Sequence, residues 1–381
     1  MRKFLTITAL ILISLITQAV TYIDPYYTGV SNGTIEQPFK VMPAITSDNV
    51  YLFKTNTVYT TNNQIYVNGV SNVKIGYYGK GTRPKFSYRG TGYAIRIVNS
   101  DNITIEGLEV DGNGNAHSLI GIVGENNRYL SNISIIWCVL HNAHNPNNAG
   151  FGIHAFYTNN LSVQYTTIRN VALDGMYLRY CINTNLGYGT IHDINRRYFL
   201  NTNQTYSSGD GIQFDGNYDG FYLHHYVIAR TNGAGNKFGV IIASAPSVSD
   251  NAKGIIEYCE FETDGTVTTS LHIERGNGII VRYNKFLGIT QAIRIGGAYA
   301  KNTKIYNNEF ENCTNGIGVG YTYPNVGAAV GTEIRNNIFV NITKYHVWVD
   351  KSIVYIEGNQ HFGADGSIHY YNYGGGGFID K

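Results

Sequence analysis

Two aspartates that each precede a glycine are the first candidates for chemistry in this 381-residue chain. Asp174 lies before Gly175 and Asp210 before Gly211, and each opens a short apolar strand. If the two strands are neighbours in a sheet, the carboxyl groups lie about 5 Å apart, which is one strand spacing. Two carboxylates this close cannot both ionise easily, so one can keep its proton and act as a general acid. Asp-Gly is also common at turns, and a purely structural role is the alternative.

A spacing of about 5 Å is typical of glycosidases that retain the anomeric configuration, whereas inverting enzymes keep about 6.5–9.5 Å. Asp215 lies five residues beyond Asp210, up to about 16 Å along an extended strand, so it is the weaker partner. The pair Asp174 and Asp210 therefore predicts glycoside hydrolysis.

A second set of reactive residues recurs at one position of a repeated strand with the pattern Gly-apolar-x-apolar. Period-two alternation predicts this outward-facing column: Arg96, Ile122, His154, Tyr177, Gln213, Ile241, His272, Arg294, Gly318 and Trp348. Aromatic faces stack on sugar rings and polar groups bind hydroxyls or carboxylates, so the column predicts a groove for an extended glycan. The alternative is a solvated sheet face, because β-propensity alone enriches tyrosine. The substrate-binding candidates are His154, Tyr177, Arg179, Gln213, Asp215 and Glu274.

Arg294 and His272 offer a different reaction. β-Elimination from a uronic acid needs a cation that neutralises the carboxylate and a base that removes the C5 proton. Arg294 can supply the cation, and His272 or Tyr177 the base. A polysaccharide lyase or uronate epimerase is therefore the second hypothesis. The third is a non-catalytic glycan-binding or surface-filament protein, in which the side-chain ladders serve only cohesion.

A repeated motif must position all these residues. Its anchors are 22 to 29 residues apart, at Cys259, Asn284, Asn308, Asn337 and Asn359. Such a period indicates a solenoid whose units bury their apolar faces against their neighbours. Short β-branched strands separated by Gly and Asn turns, without a 3.6-residue pattern, predict an all-β, single-stranded right-handed parallel β-helix of about ten coils. Stacked asparagines can then satisfy the buried turn backbone.

Composition sets the remaining expectations. The net charge of +2 and the absence of a basic run argue against a nucleic-acid partner. A basic start and a short apolar stretch predict a signal peptide over residues 1–19, too short for the roughly 20 residues of a membrane span, and hence a secreted, extracellular or periplasmic protein. We expect an N-terminal cap and first coils over 20–90, repeats over 91–362 and a C-terminal tail over 363–381. The oligomeric state is left open.

Cysteines and acidic residues do not predict a metal site. Cys138 and Cys259 take the anchor position of the repeat, so we expect both to fill the core. Three disulfide pairings of the four cysteines remain open. No metal or cofactor is predicted, with Ca²⁺ considered only for a lyase, because Asp111, Asp215 and Asp219 lack dense ligand spacing.

Three segments resemble known families. Residues 22–88, with Tyr77-Tyr78-Gly79 and Arg83-Pro84 near their end, resemble the opening of many secreted β-helix proteins, among them polysaccharide lyases. Asp174, Asp210 and Arg294 are similar to parts of the polygalacturonase pattern; Gly211, Phe238 and Gly296 stand where that pattern has Asp, His and Lys. Segments 271–275 and 292–295 resemble two coils of β-helix alginate and chondroitin lyases, with Glu274 in place of a Lys. These resemblances imply a protein of the pectin- or alginate-degrading type.

The longest central excursion lies between Cys181 and Gly209. It contains Arg196, Arg197, Tyr198 and Tyr206 and no strong strand pattern. A loop of this kind often builds one wall of a binding cleft, and it flanks both Asp174 and Asp210. Together these observations predict a secreted enzyme that cleaves an acidic polysaccharide by hydrolysis.

Overall fold

The chain is coiled into a solenoid of parallel strands. The computed structural model describes residues 18–144, 150–194, 209–231, 238–243, 252–263, 269–296, 299–320, 328–363 and 366–380. Every strand pairing within these ranges is parallel, and the helical part is one short 3₁₀ turn, Glu125–Asn127. The predicted right-handed parallel β-helix is therefore confirmed. In the described part of the chain, no helix has the length and apolarity to cross a membrane.

Each coil contributes a strand to each of three faces, and the strands are numbered β1–β39 in chain order. The first face consists of β4 (Ile65–Asn68), β7 (Tyr93–Val98), β10 (Ser118–Val123), β13 (Phe151–Gln164), β15 (Met176–Ile182), β18 (Ile212–Asp215), β21 (Phe238–Ile242), β24 (Thr269–Ile273), β28 (Gln291–Ile295), β32 (Asn315–Gly320), β35 (Tyr345–Asp350) and β38 (Ile368–Asn372). The strand β13 continues without a break from the first face onto the second.

The second face consists of β1 (Ala19–Ile23), β2 (Asn49–Lys54), β5 (Ser71–Tyr78), β8 (Asp101–Glu106), β11 (Leu130–Ile136), β16 (Asn185–Gly187), β19 (Phe221–His224), β22 (Gly254–Glu257), β26 (Ile280–Arg282), β30 (Lys304–Tyr306), β33 (Thr332–Arg335), β36 (Ile353–Glu357) and β39 (Gly377–Asp380), together with the second half of β13. A separate two-stranded sheet pairs β25 (Gly276–Asn277) with β29 (Ala300–Lys301).

The third face has twelve strands in the described residues. They are β3 (Val58–Thr61), β6 (Lys85–Tyr88), β9 (Glu109–Asp111), β12 (Val139–Ala143), β14 (Thr167–Val171), β17 (Thr190–Ile194), β20 (Val227–Thr231), β23 (Glu260–Glu262), β27 (Lys285–Leu287), β31 (Glu309–Glu311), β34 (Ile338–Val340) and β37 (Gln360–Phe362). The strands β16 and β17 fall inside the excursion that was predicted to lack strands, and the structure corrects that prediction for residues 185–194.

Two buried ladders explain the repeat. The rings of Phe261, Phe286, Phe310 and Phe339 stack at 4.7, 5.0 and 4.8 Å along the core. Burying each such ring stabilises the fold by roughly 1.5–3 kcal/mol. Beside them, each anchor asparagine accepts the backbone N–H of the previous anchor at 2.9–3.0 Å, starting with Cys259 and Asn284. The anchor ladder therefore satisfies the turn backbone, as predicted.

The cysteines are core residues. Cys138, Cys181, Cys259 and Cys313 are all free thiols and all buried. The Cys259 amide binds Asn284 and the Cys138 amide binds Thr166, so the prediction that both fill the anchor position is confirmed. Burial raises the pKa of the Cys138 and Cys313 thiols to about 11, which keeps both protonated at neutral pH.

The register of the first face differs from the prediction at one coil. Gly121, rather than Ile122, pairs with Arg96 and His154, while Ile122 pairs with Ile97 and is fully buried. The assignment of Ile122 to the outward column was wrong. The strands β7, β10 and β13 start in register at Tyr93, Ser118 and Phe151, so Leu119 takes the place of the motif glycine in this coil and Gly121 takes the outward position. A Cβ at Gly121 would lie 2.2 Å from the Tyr93 ring, so the close ring leaves no room for a side chain.

Glycines at the start of the central strands point inward and let the coils approach closely. A Cβ on Gly175 would lie 2.5 Å from the Gly211 carbonyl oxygen, and one on Gly211 would lie 2.3 Å from that of Gly239. Contacts this short do not occur, so only glycine fits there. Because these glycines face the core, the residues before them, Asp174 and Asp210, face outward.

Candidate active site

Three parallel columns of outward side chains cover the centre of the first face. We call them the left, middle and right columns. The left column is Phe151, Asp174, Asp210, Phe238, Thr269 and Gln291. The middle column is His154, Tyr177, Gln213, Ile241, His272 and Arg294. The right column is Phe156, Arg179, Asp215, Ala243, Glu274 and Gly296. Apart from Ile122, the predicted outward column therefore has the register that the sequence indicated.

Asp174 and Asp210 lie on adjacent coils, as predicted, since the Gly175 amide donates to the Asp210 carbonyl oxygen. Both are almost fully buried, with 3% and 4% of their surface exposed. Asp174 Oδ1 accepts the Asp210 backbone N–H at 2.7 Å, and Asp210 Oδ1 accepts the Phe238 N–H at 3.0 Å. Each carboxylate therefore holds the backbone of the next coil.

Asp215 is the most heavily coordinated acid of the right column. The Tyr177 hydroxyl donates to its Oδ2 at 2.8 Å, and the Gly216 amide donates to its Oδ1 at 2.8 Å. The Arg179 Nε lies 3.6 Å from the same Oδ2. Burial and the hydrogen bond to Asp215 raise the Tyr177 pKa far above its usual value, so the phenol stays protonated and is a poor base.

Glu274, the second acid of the right column, lies in an environment that raises the pKa of its carboxyl group. Burial raises its pKa, the nearby Asp215 raises it further, and this outweighs the lowering by Arg275 and Arg294. Its side chain is still 26% exposed, so it remains reachable from the face. Glu274 and Asp215 lie two coils apart with Ala243 between them, which places their backbones about 9–10 Å apart. Within the right column, the residue between them is the short Ala243.

His272 is an uncharged, buried imidazole next to Arg294 on the following coil. Its surface is 1% exposed, and its ring packs on Phe238 at 4.6 Å. Burial and the Arg294 charge lower its pKa to about 3. In the described residues neither ring nitrogen has a hydrogen-bond partner, because Glu274 Oε1 is 3.7 Å away.

His154 lies inside an aromatic cluster, and Gln213 is half-buried between Tyr177 and Ile241. The His154 ring stacks on Phe151 at 4.5 Å and contacts Phe156 at 4.5 Å. Burial, with a smaller effect of His117, lowers the His154 pKa to about 3. The middle column is thus largely covered, which excludes a solvated sheet face for His154 and His272.

A cleft of about 250 Å³ continues the same face toward the C-terminal end. Arg294, Lys344 and Trp348 line it, and the stacked rings of Tyr345 and Tyr371, 4.5 Å apart, form its aromatic side. Trp348 Nε1–H donates to Gln291 Oε1 at 3.0 Å, and the indole covers Gly318, where a Cβ would lie 2.3 Å from the ring. Asp350 also lines the cleft, so its walls carry two cations and one carboxylate. Aromatic faces beside two cations suit a sugar that carries a carboxylate.

Sequence reasoning missed the lining residues Gln291, Tyr345 and Tyr371. The available signal was an offset of three residues: Gln291 precedes Arg294 and Tyr345 precedes Trp348 as Asp174 precedes Tyr177. The predicted cleft wall of Arg196, Arg197, Tyr198 and Tyr206 lies outside the described residues, as do residues 1–17 of the signal peptide predicted over residues 1–19.

The acidic residues considered as calcium ligands already have protein partners. Lys85 Nζ lies 2.6 Å from Asp111 Oδ2, and Asn142 and Asn113 donate to Asp111 Oδ1. Asp219 Oδ1 accepts the Lys253 amide at 2.9 Å. Asp111 ends β9 on the third face and Asp219 lies in the turn between β18 and β19, so these two carboxylates belong to different coils.

Comparison with known proteins identifies the fold. No protein-family model matches the chain, and no curated protein matches it in sequence. The catalytic domain of a GH87 α-1,3-glucanase has a similar structure, with a TM-score of 0.64 and 10% identity over 88% of this chain and 64% of that one. A GH136 lacto-N-biosidase from Eubacterium ramulus has a TM-score of 0.54 and 12% identity, covering 93% and 68%.

The A-module of a mannuronan C-5 epimerase from Azotobacter vinelandii is similar at a TM-score of 0.51, with 11% identity over 86% of this chain and 90% of that one. All these proteins are right-handed parallel β-helices that act on carbohydrates. At such low identity the likeness establishes the fold, and the three reactions differ, so the site itself must decide the chemistry.

Proposed function

We propose that this protein is a glycoside hydrolase that cleaves an acidic, uronate-containing polysaccharide lying along the first face. The observation that carries the proposal is the pair Asp215 and Glu274, whose environments differ. Glu274 has a raised pKa, whereas Asp215 is surrounded by the Tyr177 hydroxyl, a backbone amide and the Arg179 guanidinium. Two acids with opposed environments are the usual basis for assigning acid and base.

In this mechanism the Glu274 carboxylic acid donates its proton to the glycosidic oxygen as the bond to the leaving sugar breaks. The Asp215 carboxylate removes a proton from a water that attacks the anomeric carbon from the opposite side. The backbones of the two residues are about 9–10 Å apart, which is nearer to the 6.5–9.5 Å between the carboxyl groups of inverting enzymes than to the 5–5.5 Å of retaining ones. We therefore expect inversion of the anomeric configuration.

Asp174 and Asp210 receive a different role from the one that their spacing suggested. Both bind backbone amides of the next coil and are more than nine-tenths buried, so we assign them to positioning β15, β18 and β21. If they were instead the catalytic pair, their one-coil spacing of about 5 Å would give retention. The stereochemical outcome thus distinguishes the two assignments.

The substrate class follows from the cleft. Arg294 and Lys344 supply positive charge, and Trp348, Tyr345 and Tyr371 supply rings for stacking. Two of the similar structures belong to enzymes that are named for a glucan and for mannuronan, which agrees with a polysaccharide as the substrate. Together with the sequence pattern of residues 1–19, this supports an exported enzyme that meets its substrate outside the cytoplasm.

A lyase or epimerase is the second candidate, because one observation favours it. His272 and Arg294 are neighbours on adjacent coils, and the His272 imidazole is neutral at physiological pH. A neutral imidazole can accept the C5 proton while the guanidinium neutralises the uronate. Against this, the His272 side chain is 1% exposed and would have to become accessible.

The test is to incubate the purified protein with a panel of uronate polysaccharides. New reducing ends without absorbance from unsaturated products indicate hydrolysis, and NMR of the first products should show inversion. Glu274→Gln should lower kcat at least a hundredfold without loss of stability. His272→Gln is the matched control, since it should spare hydrolysis and abolish elimination. Unsaturated products would reject the assignment, and so would retention of configuration together with an active Glu274→Gln variant. If none of the polysaccharides yields a product, the result supports a glycan-binding module.

A further inference from the structure

Three histidines meet at the C-terminal end of the solenoid, away from the proposed catalytic acids. His346 lies in β35, His361 in β37 and His369 in β38. One ring nitrogen of each lies within 4.8 Å of the others. His346 is buried, His361 is half-buried and His369 is exposed. The cluster therefore spans from the core to the surface.

The coil geometry creates this meeting. His369 follows His346 by one coil on the first face, between the pairs Tyr345–Ile368 and Val347–Tyr370. His361 pairs with Phe339 on the third face and continues the phenylalanine ladder, stacked on Phe339 at 5.3 Å. In the preceding coils the His346 position holds Gly316 or Ala292, and the His361 position holds phenylalanine. Both core positions thus change from apolar to imidazole in the same coil.

The hydrogen bonds orient the rings so that two nitrogens face each other. His346 Nε2 lies 2.9 Å from Ser367 Oγ, and His361 Nε2 lies 3.1 Å from Tyr370 Oη. The two Nδ1 atoms are left pointing at each other, 2.5 Å apart. Two nitrogens that bind one Zn²⁺ tetrahedrally at 2.0–2.1 Å lie about 3.3 Å apart, so the two rings must separate by about 0.8 Å to admit an ion between them. Histidine ligands of metals commonly have one nitrogen held by a protein group while the other binds the ion.

We propose that His346, His361 and His369 bind a divalent transition-metal ion of the Zn²⁺ type. Imidazole nitrogen suits Zn²⁺, Ni²⁺ and Cu²⁺ and not the oxygen-seeking Ca²⁺ or Mg²⁺. The ion binds His346 and His361 through Nδ1 and completes its protein ligands with His369, with water at the exposed side. Bound there, it joins β35, β37 and β38 and closes the end of the apolar core.

The protonation states agree with this role. Burial, together with the neighbouring imidazoles, lowers the pKa of His346 and His361 to about 4. Both rings are therefore neutral at pH 7, the state that a metal requires. Neutral rings also leave the ion to supply the positive charge of the site.

The experiment is a titration of the full-length protein, freed of metal with EDTA and dialysed, with Zn²⁺ by calorimetry and with Co²⁺ by visible absorption. We expect one ion per chain, and a melting temperature that rises with Zn²⁺ but not with Ca²⁺ or Mg²⁺. His361→Phe should weaken binding at least tenfold while preserving the ring stack on Phe339. His369→Asn should do the same from the exposed side.

His225→Asn is the control, because His225 is exposed beside His224 and tests adventitious binding elsewhere. It should bind Zn²⁺ like the unaltered protein. Sub-stoichiometric binding, or equal affinity in the His361→Phe and His369→Asn variants, would overturn the proposal. The readouts do not involve catalysis, so this result is independent of the proposed hydrolysis.

Discussion

At the scale of single residues, burial decides what the outward column can do. His154 and His272 occupy the positions that the sequence predicted, yet each is covered and uncharged at neutral pH. Glu274, which the sequence predicted as a substrate-binding residue, has a pKa that burial raises. The identity of a side chain sets which reactions are open to it, and its surroundings choose among them.

The buried histidines predict loss of stability in acid. The pKa values of His154 and His272 are about 3 in the fold and about 6.5 in the unfolded chain, so the unfolded state binds more protons below pH 6.5. Stability is complete above pH 6.5 and falls as the pH drops toward 3, by up to about 1.4 kcal/mol per pH unit for each histidine.

His154→Phe tests this directly, because phenylalanine can keep the stack on Phe151 without titrating. The measurement is the free energy of unfolding from denaturant titrations between pH 7 and pH 4. The variant should show a shallower decline than the unaltered protein. Parallel curves would mean that His154 has the same pKa in the fold as in the unfolded chain.

At the scale of the elements, ladders of identical side chains hold the turns. The anchor asparagines Asn284, Asn308 and Asn337 are buried. A second row of asparagines on the surface includes Asn102, Asn132 and Asn160, linked by side-chain hydrogen bonds of 2.8–3.1 Å. Surface turns with positive φ also carry a stack of aromatic rings: Trp137, Tyr165, Tyr188, His225, Tyr258 and Tyr283. Residues other than glycine rarely adopt a positive φ, because this backbone conformation raises their energy. The stacking of the rings offsets part of that cost.

Asn308→Leu should show what the buried ladder contributes. The Asn308 amide group donates to the Val281 carbonyl and to Asn337, and its Oδ1 accepts from Asn284. Leucine would leave several buried polar groups unsatisfied, each at about 1–3 kcal/mol. We expect a loss of about 3–5 kcal/mol in the free energy of unfolding.

The matched control for the ladder is Asn132→Gly on the surface row. Glycine tolerates the positive φ of 58° there, and the lost hydrogen bonds are exposed. Its stability should change by less than about 1 kcal/mol. Equal losses in the two variants would contradict the special role of the buried row.

At the scale of the whole molecule, each coil pairs its strands with those of the adjacent coils, so stability is close to a sum of local terms. Phe310→Ala removes one ring from the core stack between Phe286 and Phe339. We expect a cost of about 3–5 kcal/mol. Hydrogen exchange should accelerate in β30–β34 while β5–β9 keep their protection.

Phe362→Ala is the comparison for that experiment, since 52% of the Phe362 surface is exposed at the end of the same face. It should change exchange only in β37 and the adjacent strands. Uniform loss of protection along the chain in Phe310→Ala would show that the solenoid unfolds as one cooperative unit instead.

The sequence by itself determined the coil and most of its register. When a motif with alternating apolar positions recurs every 22–29 residues, equivalent residues of successive coils stack on one another. This stacking brings Asp174 beside Asp210 and His272 beside Arg294. The same period predicted the burial of Cys138 and Cys259 and the asparagine ladder. Local pattern is sufficient for these features because each depends on positions repeated in every coil.

Only the tertiary structure decided which of these residues share an environment. Because Gly175 and Gly211 face the core, Asp174 and Asp210 face outward, yet both remain bound to backbone amides. In β10 the register differs by one residue from the predicted one, and Ile122 therefore lies in the core. Asp215 and Glu274 are 59 residues apart in sequence, and His346, His361 and His369 come from two faces, so no local spacing indicates either group. Burial and pairing across coils depend on how segments of unequal length align, which is a property of the packed molecule and not of any one repeat.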